Sequence, residues 1–493
     1  MKAQKTKSVC PKCRKVIDAV LIRKGNRVMM KKHCGKHGTF EEIVYDAKQF
    51  ERVMKSMKYL SKPKNVPACP YDCEHCTAHQ SQTILAIMDL TNRCNLNCRY
   101  CFANAAKSRY VYEPSLHQID AMFSSIKKRE PACNAVLFSG GEPTLRNDLP
   151  DIIRMATGMG FEVPLIATNG IRLATDLEYA RKLNAAGLYL IYLSFDGFSD
   201  ATNHEKRNHR IVERLLENCR RAGLQIMLVP TISRENSREA FRFIQFAARN
   251  ADVVRGVNFQ PVSFCGRMDA EERKMSRYTI SDLCLDIEKQ SDGVLKESEF
   301  YPVPSIVPFQ KMLSRPGKVE MPLFTVHPLC GRATYIFKDK DRLVPITKVM
   351  DVPRLISLFD MAARYGKNGK GGNLAMVAML REMKKSVHFD EMPEKSNMFK
   401  LLLQLILKRD LGTVLEIQSN STFVGVMHFQ DGYNMDLERL KRCGIHYVTP
   451  SNSLVPFCAY NNLGYRDRIE KKFSVPLDTA NGLPGRENAE GRI

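Results

Sequence analysis

Six apolar runs, each followed by an amphipathic stretch, dominate the middle of the chain. ILAIMDL (84–90), AVLFS (135–139), EVPLIAT (162–168), LYLIYLSF (188–195), QIMLVPTI (225–232) and GVNFQPV (256–262) read as strands. Between them, stretches such as LHQIDAMFSSIKKR and DLEYARKLNAAG carry the helical period. Continuous apolar strands alternating with helices predict a parallel sheet covered on both faces. Six such units in order predict an α/β fold, an open, TIM-like (β/α)6 partial barrel. A doubly wound sheet shares the same periodicity.

Outside this region the pattern changes. Residues 1–80 are rich in Cys, and VLIRKGNRVMMKKH alternates like a hairpin turning at Gly25-Asn26. A basic, helix-like stretch, AKQFERVMKSMKYL, follows and is broken by Pro63, Pro67 and Pro70. This organisation gives a metal module over 1–80, a barrel over 81–295 and a less regular C-terminal region over 296–493. That last region contains FKLLLQLILKR (399–409), an apolar run with Lys400, Lys408 and Arg409 at its ends. It reads either as a packing helix or as one lying on an anionic surface.

Composition narrows the function. The chain has 493 residues, and Lys+Arg 75 against Asp+Glu 53 gives a net charge of +22, which favours an anionic partner or substrate. No apolar run reaches the roughly 18 residues of a membrane span. The first residues, MKAQKTKSVC, lack the apolar stretch of a secretory signal, so the expected location is cytoplasmic. In that compartment 16 Cys are expected to be metal ligands rather than disulfides.

Cys94, Cys98 and Cys101 form CNLNCRYC directly after the first barrel strand, where active-site loops of such barrels lie. Three thiolates can hold three irons of a 4Fe–4S cube and leave the fourth open. CPYDCEHC repeats the spacing at Cys69, Cys73 and Cys76, ahead of the barrel. Cys10, Cys13 and Cys34 have the spacing of a zinc-ribbon or rubredoxin-type site, with His37 or one of Cys69, Cys73 and Cys76 as fourth ligand. Thiolate sites of this kind take zinc or a mononuclear iron. Cys330, Cys443 and Cys458 stand late in the chain as candidates for a further cluster, whereas Cys133, Cys219, Cys265 and Cys284 read as plain thiols.

CNLNCRYCF followed by a strand ending in SGGEP resembles the radical S-adenosylmethionine superfamily. The resemblance implies that S-adenosylmethionine binds the open iron and is cleaved to a 5′-deoxyadenosyl radical that removes a hydrogen atom from an unactivated carbon. It places the backbone of Phe102 near the adenine and Gly140-Gly141-Glu142 at the methionine amino group. Thr168, Asn169, Ser194 and Asp196 fall where the family contacts the ribose and carboxylate.

The chain as a whole is similar to one archaeal group. TNRCNLNC (91–98), FSGGEPT (138–144), ATNGIRLA (167–174), DVVRGVNFQPVSF (252–264), YPVP (301–304), HPLCGRATY (327–335) and PFCAYN (456–461) carry the likeness. The group is that of the tetraether lipid synthases, also described as methylases of a pterin in methanopterin biosynthesis. The resemblance implies sp3 carbon–carbon coupling of archaeal diether lipid tails, with pterin methylation as the alternative. It further implies one or more accessory 4Fe–4S clusters and a mononuclear metal, and supports Cys330 and Cys458 as ligands, Cys443 less directly. The expected partners are membrane lipids, met peripherally, and an electron donor such as a ferredoxin or flavodoxin. A nucleic acid is not expected, because no recognition-helix or aromatic-rich basic pattern accompanies the charge.

Overall fold

Residues 4–46 form a four-stranded antiparallel meander in chain order: β1 (Gln4–Val9), β2 (Val16–Lys24), β3 (Arg27–Cys34) and β4 (Gly38–Asp46). The hairpin turns at Gly25, whose φ of 61° lies in the left-handed region open to glycine. Asp46 then caps α1 (Ala47–Met54) by accepting from the Gln49 amide at 3.0 Å. The computed structural model describes residues 2–61, 69–71, 73, 79–105, 110–265, 273, 276–314, 321–340, 342–368, 380–391, 400–404, 413 and 421–476.

All six expected barrel strands are present: β5 (Leu85–Thr91), β6 (Ala135–Gly140), β7 (Val163–Thr168), β8 (Leu190–Leu193), β9 (Ile226–Leu228) and β10 (Val254–Pro261). They are parallel and pair in chain order, Ile87 beside Leu137, Leu137 beside Leu165, Ile166 beside Ile191 and Tyr192 beside Met227. An unreversed order is that of a barrel, which removes the doubly wound alternative. Helices cover the outer face: α2 (Leu116–Arg129), α3 (Leu149–Gly158), α4 (Leu177–Ala185), α5 (Val212–Ala222) and α6 (Ala240–Arg249). Ser115 and Gln118 close a capping box at the start of α2.

The barrel does not close on itself. Its two edges are extended by the C-terminal region, an arrangement the weak periodicity there does not announce. β11 (Gly331–Asp339) runs antiparallel to β12 (Thr422–Met427), which lies parallel to β10. β13 (Ile445–Val448) lies parallel to β5 and carries β14 (Leu454–Pro456) antiparallel. A single extended sheet of this kind leaves neither barrel edge exposed.

Strand alternation sorts the apolar residues into two cores. Met88, Phe138, Ile166, Ile191 and Ile226 pack outward under the helices. Ile87, Leu137, Leu165, Leu190 and Met227 point the other way, into a second core completed by Tyr447, Phe457, Cys458 and Tyr460. The inner face of the barrel is therefore apolar, and the C-terminal segment packs over it. Of the run 399–409, residues 400–404 are described; Leu401 and Leu402 are buried, and Leu402 joins a small separate core with Leu358 and Phe359. Among the described residues no helix is long and apolar enough to cross a membrane.

Candidate radical and metal centres

The loop after β5 carries Cys94, Cys98 and Cys101. The Leu96 amide donates to the Cys94 sulfur at 3.4 Å, and the Cys101 amide donates to the Cys98 carbonyl at 3.4 Å, so the loop turns tightly at both ends of the triplet. Burial pushes the Cys94 thiol up to about 12 and the Cys98 thiol up to about 11, and the neighbouring Cys charges add to both shifts. Two desolvated thiols in one loop, with a third Cys beside them, are costly as free thiolates. They fit an iron–sulfur cluster, whose metal charge offsets theirs.

The GGE segment packs against this loop through its backbone. The Gly141 amide donates to Thr91 O at 2.6 Å and the Glu142 amide to Arg93 O at 2.8 Å. A Cβ at Gly140 would lie 2.2 Å from Thr91 O, and one at Gly141 would lie 2.0 Å from Arg93 O. The glycines are thus required where two strand ends meet, one residue short of Cys94. This packing gives both glycines a structural reason beside the place at the methionine amino group that the family resemblance implies.

Glu142 is also occupied by protein. Its buried carboxylate accepts from the Thr144 amide (3.1 Å) and hydroxyl (2.6 Å), the Thr168 hydroxyl (2.7 Å) and the Asn169 amide (2.8 Å). Burial raises its pKa, and these donors counter it. Asn169 in turn donates to Asn95 Oδ1 at 2.8 Å, inside the cluster loop. Glu142, Thr168 and Asn169 therefore tie the ends of β6 and β7 to the Cys loop. Their side chains form one hydrogen-bonded network.

Ser194 and Asp196 converge on a residue the sequence did not single out. Lys206 donates to Ser194 Oγ at 2.5 Å and pairs with Asp196 at 2.5 Å, while Asp196 also accepts from the Thr231 amide at 2.9 Å. Lys206 is buried; burial disfavours its charge, but Asp196 and then Cys98 together raise its pKa. A lone Lys in EKRNH reads as a solvated charge, and no spacing signal reveals its place beside Cys98. Phe102 directs its ring onto Phe457, 5.4 Å between centroids, which leaves its backbone at the loop's edge.

In the N-terminal sheet Cys10, Cys13, Cys34 and His37 bring their ligand atoms within 4.8 Å of one another. Cys10 Sγ and Cys34 Sγ lie 3.5 and 3.6 Å from His37 Nδ1, and Cys13 Sγ is 3.8 Å from Cys34 Sγ. A tetrahedral ion with bonds of about 2.3 Å to sulfur sets its ligands about 3.8 Å apart, so the four fit one zinc or iron. His37 is thereby the candidate fourth ligand that the fold brings to the three Cys. Cys69 and Cys73 lie elsewhere, in the core that holds Cys443 and Cys458, and Cys76 falls outside the described residues.

The amides of Lys36 and the His37 ring lower the Cys34 thiol to about 6, whereas burial raises that of Cys10. Zinc binding at neutral pH is expected to displace a proton from Cys10 but none from Cys34. Below about pH 6 Cys34 must also lose one, so apparent affinity falls more steeply with acidification. Chelator competition between pH 5 and 8 measures this slope; an unchanged slope through pH 6 contradicts it.

Cys330, Cys443 and Cys458 lie far apart in sequence but act electrostatically on one another. Cys443 is pushed up to about 12, chiefly by burial and further by Cys330, and Cys458 is raised by burial and by both partners. Cys330 precedes β11, Cys443 precedes β13 and Cys458 follows β14, so the strands added at the two barrel edges deliver all three thiols.

Comparison with known proteins agrees with this geometry. Residues 88–246 match the model of the radical SAM superfamily, and residues 3–46 match that of the HMPTM N-terminal zinc ribbon domain. A protein of Methanocaldococcus jannaschii, 7,8-dihydro-6-hydroxymethylpterin dimethyltransferase, is 39% identical over 489 residues, covering 96% of each chain. The chain belongs to the radical S-adenosylmethionine superfamily. This superfamily member is also 33% identical over 217 residues to Fe-coproporphyrin III synthase of Methanosarcina barkeri, covering 43% of this chain and 51% of that one. Among solved structures, Streptococcus suis SuiB bound to S-adenosylmethionine has a TM-score of 0.36 at 15% identity, covering 43% of this chain and 48% of that one. The full-length relative carries the name of a pterin methyltransferase and not of a lipid synthase. As a radical SAM protein, the chain is an enzyme that uses a 4Fe–4S cluster and S-adenosylmethionine.

Proposed function

We propose that this radical SAM enzyme forms carbon–carbon bonds at unactivated carbons, and that its reaction is C-methylation of a reduced pterin. One observation carries the substrate: 39% identity over 96% of the chain to a protein named as a dihydropterin dimethyltransferase. Cys94, Cys98 and Cys101 would hold the cluster. When bound, cluster and S-adenosylmethionine supply a 5′-deoxyadenosyl radical that removes a hydrogen atom. The rest of the site prepares for that event. Glu142, Thr168 and Asn169 fix the cluster loop, and Lys206 places a positive charge beside Cys98 and beside any carboxylate bound near Ser194. The apolar inner face excludes water and stray hydrogen donors.

That same inner face favours a second reading, tail-to-tail coupling of diether lipids. Ile87, Leu137, Leu165, Leu190 and Met227 suit an isoprenoid chain better than a pterin, whose ring nitrogens call for polar partners. Reduced enzyme incubated anaerobically with S-adenosylmethionine and either a dihydropterin plus a methyl donor, or archaeal diether lipid, separates the two. The first reading predicts a methylated pterin and unchanged lipid. A lipid with a new bond between saturated tail carbons, a pair of deoxyadenosines per bond and unchanged pterin overturns it in favour of the second.

A further inference from the structure

Arg439 is buried at 4% exposure on a short helix, α7 (Leu437–Leu440), yet it forms no ion pair among the described residues. Its Nη2 donates to His428 O at 3.0 Å and to the sulfur of Cys330 at 3.8 Å, and its buried Nε has no partner. The carboxylate that acts on it, Asp436, is engaged with the Thr6 hydroxyl (2.7 Å) and the Glu438 amide (3.0 Å). A buried guanidinium with no paired carboxylate at hydrogen-bond distance is costly. The groups that face it are the thiols of Cys330 and Cys458.

We propose that Arg439 is the counter-cation of an accessory iron–sulfur cluster held by Cys330, Cys443 and Cys458, and that its N–H group at the Cys330 sulfur holds that cluster's reduction potential up. A thiolate-ligated cluster is anionic, and it supplies the negative charge that the buried guanidinium lacks. Reduction adds one more negative charge at the same place, so a fixed cation 3.8 Å from a ligand sulfur stabilises the reduced form more than the oxidised one. Arg439 touches no reacting carbon. It is a positioning and tuning residue that acts through the cluster, and the inference rests on the reading of these three Cys as ligands.

The test uses full-length chain in which Cys94, Cys98 and Cys101 are Ala, so that signals of the radical cluster are absent. After anaerobic reconstitution, iron and sulfide are counted, and the cluster is titrated with a chemical reductant while its paramagnetic signal is followed. Replacing Cys330, Cys443 and Cys458 by Ala in this background is expected to remove one cluster's worth of iron. Unchanged iron there overturns the accessory-cluster reading itself. With the three Cys present, Arg439→Gln is expected to shift reduction about tenfold toward the oxidised form, 59 mV for a one-electron couple, with Arg439→Lys in between. An unchanged potential at full iron content in Arg439→Gln overturns the role of Arg439 alone. If Arg439→Gln loses the cluster, retention in Arg439→Lys supports the counter-cation, because only charge is shared, and loss from both overturns it.

Discussion

Replacing Cys94, Cys98 and Cys101 together by Ala is expected to abolish cleavage of S-adenosylmethionine to 5′-deoxyadenosine while other metal stays bound. The reason is separation in the fold. The three thiols share one loop after β5, whereas Cys10, Cys13, Cys34 and His37 form a closed four-ligand set in the N-terminal sheet. Cys330, Cys443 and Cys458 are gathered by strands added at the barrel edges. Neither group belongs to the loop that the Gly-Gly-Glu backbone holds at Thr91 and Arg93. The check is an anaerobic assay with metal analysis on the same sample. Retained cleavage in the triple variant contradicts the assignment, and complete loss of iron and zinc contradicts the separation.

A single methyl group should be nearly as damaging at Gly141. Ala there would set a Cβ 2.0 Å from Arg93 O and 2.6 Å from Arg93 C, both backbone atoms that cannot rotate away. Overpacking against movable side chains costs about 1–3 kcal/mol. Here the strain falls on the hydrogen bonds from Gly141 to Thr91 O and from Glu142 to Arg93 O. These bonds set the entry to the Cys loop, so Gly141→Ala is expected to fold with a reduced melting temperature and to load the radical cluster poorly. Gly158, where an added Cβ would meet nothing within 4 Å, is the control. Gly158→Ala should keep full cluster content, and equal loading by both variants contradicts the argument.

The barrel was legible in the sequence because its strands are continuous apolar runs, which parallel strands buried on both faces must be. The Cys triplet was legible because its spacing is tied to a strand end. The strands at the barrel edges were not. Ile445–Val448 spans four residues, and its partner, β5, lies more than 350 residues earlier, so local periodicity holds no trace of the pairing. Glu142, Thr168 and Asn169 stood out as strand-end residues, but their hydrogen bonds to one another appear only in three dimensions. Lys206 and Arg439 escaped notice for one physical reason. An isolated cation in a charged stretch looks solvated, and only packing reveals that both are buried beside thiols. The ribbon's fourth ligand stood among four candidates until the fold brought His37 to Cys10 and Cys34.

The proposed function rests on removal of a hydrogen atom from the substrate by a radical made from S-adenosylmethionine. The incubation that separates pterin from lipid, repeated with the reacting substrate deuterated, tests it most directly. Mass analysis of the nucleoside is the measurement. The expected result is 5′-deoxyadenosine carrying deuterium from the substrate, formed only with reductant present. Product formed with S-adenosylhomocysteine alone and no deoxyadenosine would show ordinary polar methyl transfer and contradict it.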